Sequence, residues 1–247
     1  SNILTDGNVA VGFQALQVAV GDGSTNNQTT YNTAVGYRAG YALSTGARNT
    51  LIGGLAGDTI TTGNFNTALG YQALAAEDTG NYNTAIGYKA LALQDAGDAY
   101  NTAVGFSAGE NMTTGVNNTL IGSLAGDALT TGVQNVAVGY QALSTENAHG
   151  TVVAVGFQAL KTQDAGANTY NVAVGYQAGV AVTTGIYNTL VGGLAGDALT
   201  IGNQNVAVGM LALSTSVDGD NNTAIGYQAL KDYEDGDGNG NNTAVER

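Results

Sequence analysis

Proline, cysteine and tryptophan are all absent from the 247 residues, and the absences narrow the field. Without cysteine there is no disulfide framework, no thiol nucleophile and no zinc site built on thiolates. Without proline, no position is barred from giving its N–H to a ladder. Charge is scarce too: 10% of residues, with six Lys and Arg against 19 Asp and Glu, for a net formal charge of −13. Such a chain has no basic footprint for nucleic acid or for an anionic membrane surface. No apolar run approaches the roughly 20 residues needed to span a bilayer, so no membrane insertion is expected. The start of the chain carries no basic-then-apolar leader and reads as an internal segment of a longer product.

What the chain does have is repetition. The stretch Asn32-Thr33-Ala34-Val35-Gly36-Tyr37-Arg38-Ala39-Gly40 returns as Asn66 to Leu74, Asn83 to Leu91, Asn135 to Leu143 and Asn222 to Leu230. The motif glycine falls at 12, 36, 53, 70, 87, 105, 122, 139, 156, 175, 192, 209 and 226, in steps of 17 residues except at one recurring junction, where 24, 18 and 19 occur. A further unit opens at Asn242, with Glu246 where the glycine would stand. A unit this short cannot bury a core alone, so neighbours must stack. One domain, 1-247, built as a continuous solenoid of about 13 short coils, is therefore expected.

A larger period lies above the first. Leu51-Ile52-Gly53-Gly54-Leu55-Ala56-Gly57-Asp58 recurs at Leu120 to Asp127 and Leu190 to Asp197, 69 and 70 residues apart. The evolutionary unit is thus four coils. Every lengthened step falls at the same junction of that block, placing variable loops at 17–31, 92–100, 161–170 and 231–241 on one corner. Insertions confined to one side of a solenoid mark a candidate binding face.

Within the motif, Thr, Val and Tyr share one parity, while Asn, Ala and Gly share the other. A period of two with β-branched residues predicts a short strand, and a second strand is expected over Gln-Ala-Leu. Stacked coils at about 4.8 Å would give a rod on the order of 60 Å long. Val35, Ile52, Leu69, Ile86, Ile121 and Val138 are expected to form an inward ladder, with Ala and Gly leaving the opposite face open to close approach. The Asn that opens the motif (Asn49, Asn66, Asn83, Asn118, Asn135, Asn188 and Asn205) is expected to stack as an amide ladder.

Three features bear on chemistry. The aromatic after the glycine (Tyr37, Tyr71, Tyr88, Tyr140, Tyr176 and Tyr227) could contact a ligand, and it is missing at Gly54, Ser123 and Gly193. Because Phe106 and Phe157 substitute for it, the hydroxyl is dispensable and ring packing is the simpler account. Asp235, Asp237, Asn239 and Glu246 match the spacing of an EF-hand calcium loop, Asp-x-Asp-x-Asn-Gly followed by Glu, but without the flanking helices. This calcium loop is the one cofactor candidate, set against a hydrated acidic loop. The single His149 has no Ser/Asp partner nearby in sequence and reads as a loop residue, so no enzyme is expected. Flat threonine arrays can bind ice, but Val136, Val172 and Val206 interrupt this one.

Taken whole, from Asn8 to Val245, the repeats resemble those of phage tail-fibre proteins. Their Val-Ala-Val-Gly and Thr-Ala-Ile-Gly cores are similar to head-domain repeats of trimeric autotransporter adhesins. The 17-residue length and the aromatic after glycine favour the fibre relative. The resemblance implies an all-β, left-handed parallel β-roll, three copies side by side as a homotrimer, in a virion-borne fibre that binds a cell-surface glycan or other host receptor. A bacterial surface adhesin or extracellular filament subunit is the alternative, and a polysaccharide-degrading fibre a third.

Overall fold

The computed structural model describes residues 7–18, 30–233 and 240–246. The chain falls into two compact units, Ser1–Asn118 and Thr119–Arg247. The first holds β1 (Val9–Val11), β2 (Thr33–Val35), β3 (Thr50–Ile52), β4 (Thr67–Leu69), β5 (Thr84–Ile86) and β6 (Thr102–Val104). The second holds β7 (Thr119–Ile121), β8 (Val136–Val138), β9 (Val153–Val155), β10 (Val172–Val174), β11 (Thr189–Val191), β12 (Val206–Val208), β13 (Thr223–Ile225) and β14 (Thr243–Val245). In each unit every strand pairs in parallel with the next in chain order, like residue on like: Val35 on Ile52, Ile52 on Leu69, Leu69 on Ile86. Both units are therefore parallel β-solenoids, and the described residues contain no helix.

The turn after each strand from β1 to β13 is forced by the motif glycine. Gly70 has φ +142, and a Cβ on it would lie 2.2 Å from the carbonyl oxygen of Gly87 in the next coil. No other residue fits there. The Gln-Ala-Leu segment that follows is a run of turns, correcting the expected second strand. Gln72 and Leu74 adopt left-handed φ of 54° and 53°, a conformation that costs about 1 kcal/mol or more for a side-chain-bearing residue. Coil-to-coil bonds hold it: the Gln72 N–H donates to Gly54 O at 3.0 Å and the Leu74 N–H to Ala90 O at 3.0 Å.

Burial reverses the expected parity. The central residue of each strand from β2 to β13 is the buried one, Ala34, Leu51, Ala68, Ala85 and Ala103 all being at 0% exposure. Val35, Ile52, Leu69, Ile86, Ile121 and Val138 do stack in columns, but they face outward, Leu69 at 43% and Ile121 at 39% exposure. The reason is cross-section: a 17-residue loop leaves room inside for Ala and one larger side chain, not for a β-branched column.

That narrow interior also explains the four-coil period. Where the inner strand residue is Leu51, Leu120 or Leu190, the residue six further on is Gly57, Gly126 or Gly196. Where it is Ala68, Ala85, Ala137 or Ala154, the opposing residue is Leu74, Leu91, Leu143 or Leu160. A Cβ on Gly57 would come within 2.8 Å of Leu51 Cδ2, and one on Gly40, a coil earlier, within 2.8 Å of Leu51 Cδ1. One leucine thus fills the space left by two glycines, keeping total volume constant.

The asparagine ladder is internal and hydrogen-bonded. Asn49, Asn66 and Asn83 are buried; Asn66 N–H donates to Asn49 Oδ1 and Asn83 N–H to Asn66 Oδ1, both at 2.9 Å. The Asn49 and Asn66 amides also cap the turn 14 residues on, Asn49 Nδ2 donating to Gly63 O at 2.8 Å and Asn66 Nδ2 to Gly80 O at 2.7 Å. Asn118, Asn188 and Asn205 behave alike, and Asn135 Oδ1 accepts from Val152 N–H, where the column loses its amide. Leu51→Ala should cost about 3–5 kcal/mol by opening a cavity against two glycines. Adding Gly57→Leu should recover part of that loss in urea unfolding, limited by Ile60 Cδ1, which lies 2.8 Å from a Cβ at this position.

Candidate functional site

Because like stacks on like, the outward face of each sheet is a set of columns. Taking the motif glycine as origin, the residue three before it is Thr or Val, the residue one before is Val, Ile or Leu, and the residue one after is Tyr, Phe, Met, Gly or Ser. No charged side chain occurs in these columns over the repeats whose motif glycine is Gly12 through Gly226, although the chain carries −13 overall.

The aromatics predicted from sequence lie on this face, not in the core: Tyr37, Tyr71, Tyr88, Tyr140, Tyr176 and Tyr227 are between 43% and 56% exposed. Their rings pile up along the solenoid axis. Phe13 stacks on Tyr37 with centroids 5.8 Å apart, Tyr71 on Tyr88 at 5.7 Å and Tyr88 on Phe106 at 5.2 Å. In the second unit Tyr140, Phe157 and Tyr176 do the same. Such stacks contribute about 0.5–1.5 kcal/mol per pair beyond burial, and they hide ring faces while leaving edges to solvent.

A second aromatic column borders the other side of the face, and sequence reasoning missed it. Tyr31, Phe65, Tyr82, Tyr100, Tyr170 and Tyr187 are all exposed, with Phe65 on Tyr82 at 5.2 Å, Tyr82 on Tyr100 at 4.8 Å and Tyr170 on Tyr187 at 5.6 Å. The guanidinium of Arg48 lies 5.1 Å from the Phe65 ring centroid, a cation–π contact. The signal was present: an aromatic directly precedes the motif Asn in each of these six units. Each such residue has φ between 50° and 62°, which turns the chain into the strand.

The remaining candidates separate. Asp235, Asp237 and Asn239 lie outside the described residues, and Glu246 is exposed. His149 has company that the sequence did not show. Its Nδ1 is 3.4 Å from Oε1 of the fully buried Glu146, and Asp164 brings a carboxylate so that one atom of each lies within 4.8 Å of the others. In the first unit an open groove of about 520 Å³ is lined by Asp58, Gln72, Ala75, Lys89 and Glu110, with Lys89 Nζ 2.9 Å from Glu110 Oε1.

A buried carboxyl also occupies the inner corner seven residues past the glycine, where other coils have Leu43, Ile60 or Leu129. Glu77 is at 0% exposure, and burial pushes its carboxyl from 4.5 up to about 7, Asp95 adding to the rise while the Gly80, Ala96 and Asp78 N–H groups pull it down. The Gly80 N–H donates to its Oε1 at 2.6 Å, and Asn83 Nδ2 lies 3.4 Å from its Oε2.

Comparison with known proteins gives no matching family model, no matching curated sequence and no matching solved structure, so the geometry carries the argument.

The raised carboxyl sets a pH dependence. Stability from Glu77 is fully present below about 4.5 and lost as pH rises through about 7, because the folded chain holds the proton more tightly than the unfolded one. The loss should be on the order of 3 kcal/mol at pH 8. In Glu77→Gln this component should vanish, leaving the variant more stable than wild type at pH 8 and similar at pH 4; parallel denaturant titrations measure the difference.

Proposed function

We propose that the chain is a structural and adhesive fibre segment of the phage tail-fibre kind, working on the virion as a side-by-side homotrimer that forms or presents a host receptor-binding surface. The observation carrying this reading is the charge-free outer sheet face. Exposed Val, Ile and Leu, beside a Thr or Val column and bordered by stacked aromatics, make an uncharged strip on each unit whose central column is apolar throughout, far more than scattered surface hydrophobes.

A second copy is the partner that fits. It offers the same columns at the same repeat, so contacts made at one coil recur at the next. Cyclic association covers the strip with no unmatched end. The acidic residues, kept off the central columns, remain in water and hold separate assemblies apart. The reading is non-enzymatic. Receptor contact then falls to the borders of the strip and to neutral chemistry, a cell-surface glycan before an anionic membrane or nucleic acid.

Light scattering tests the assembly directly. The expected mass is about 74 kDa, three times the 24.7 kDa chain, stable or strengthened at high salt as the like charges are screened. Ile86→Lys, in the middle of the strip, should give a folded monomer with an unchanged circular dichroism spectrum. A wild-type monomer would overturn the trimer.

A further inference from the structure

A column of turn glycines is interrupted by the chain's single histidine. The turn carbonyl that accepts from a ladder amide belongs to Gly63, Gly80, Gly115, Gly185 and Gly202, with Nδ2 to O distances of 2.7–2.8 Å. Crowding explains the glycines: a Cβ on Gly63, Gly185 or Gly202 would lie 2.3–2.5 Å from a carbonyl oxygen of the next coil. At the equivalent turn in the second unit the acceptor is His149 O, 3.1 Å from Asn135 Nδ2. An imidazole thus stands where these other turns keep side chains out, one coil before the lengthened loop 161–170.

Three side chains of the metal-ligating kind meet there. Glu146 is wholly buried and its carboxylate is positioned, His149 N–H donating to Oε1 at 3.2 Å and Gln163 Nε2 to Oε2 at 3.3 Å. Gln163 is itself fixed by Thr169 Oγ1 and by the ladder residue Asn171. From the neighbouring coil comes Asp164, whose N–H donates to Thr183 O at 3.0 Å. His149 Nδ1, by contrast, is sealed from water and makes no hydrogen bond, although Glu146 Oε1 lies only 3.4 Å away. A buried polar atom left in that state is costly unless something else takes it up.

The spacing says what that is. Bonds of about 2.0–2.2 Å to a tetrahedral ion put neighbouring ligand atoms about 3.3–3.6 Å apart. Nδ1 and Oε1 already stand at that separation, side by side and not donor to acceptor. The exposed Asp164 side chain, with a carboxylate oxygen within 4.8 Å of both, closes the third edge by rotation. Two carboxylates match the charge of a divalent ion, while an imidazole ligand selects against calcium and magnesium, which take oxygen. The first unit supplies the contrast: it has buried Glu77 and, one coil on, Asp95, but Gly80 in place of the imidazole. We propose that Glu146, His149 and Asp164 form a binding site for a divalent transition-metal ion of the zinc type, clipping one coil to the lengthened loop of the next. The site does not depend on the adhesive reading.

Titration of the tag-free full chain with Zn²⁺ in excess Mg²⁺ tests this, followed by calorimetry and by the imidazole NMR signals, which are unambiguous in a chain with one histidine. One equivalent is expected to bind, with those signals shifting in step. His149→Gly restores the residue of the neighbouring turns, and Glu146→Gln copies Gln163 of the next coil. Each should weaken binding by about 100-fold or more, with circular dichroism unchanged. Absence of a one-equivalent phase, binding that leaves the imidazole signals unmoved, or equal affinity in either variant would overturn the site and leave Glu146 and His149 as a simple ion pair. Mass in solution is read separately, so a monomer that binds Zn²⁺ in this way removes the trimer and keeps the metal site.

Discussion

Coil-to-coil backbone pairing is the constraint on which everything else depends. Within each unit a strand lies on the next in parallel and in register, so a residue type chosen at one position is placed against its counterpart one coil, usually 17 residues, away. A favourable like-on-like contact is multiplied along the axis, and an unfavourable one would be too. Asparagine succeeds because its amide both donates and accepts. Tyrosine succeeds because flat rings stack. A charge would meet its equal about 4.8 Å away, which is reason enough for the sheet face to have none.

Inside, the same constraint acts on volume. The coil is too narrow for a large residue on both sides, so Leu51 requires Gly57 and Ala68 permits Leu74. The amide ladder supplies partners to polar groups that enter the interior, as Asn101 does for Gln94 and Asn171 for Gln163. Glu77 and Glu146 stretch that allowance furthest, being carboxyls in a column that elsewhere holds side chains such as Leu43, Ile60, Gln94, Met112 and Ser216.

Outside, burial and function part company. The apolar strip contributes little to holding a single chain together, since its residues stay exposed, yet it is the most regular surface of both units. The proposed association with further copies of the chain would cover this uncharged surface, which the single chain leaves in water.

The sequence by itself determined the repeat, its register, the place of every strand, the amide ladder and the charge-free columns, because a 17-residue period fixes what stacks on what. The tertiary structure alone decided which parity faces inward. Thr-Ala-Val alternation announces two faces, but Ala and Val are both apolar, so periodicity cannot say which one closes around the core; the narrow cross-section does. It also decided that Gln-Ala-Leu bends instead of extending, since left-handed φ at Gln72 and Leu74 is held by the neighbouring coils and leaves no mark on residue type. The grouping of Glu146, His149 and Asp164 was hidden for a related reason: residues 18 apart in the chain become neighbours only when a coil closes on the one before it.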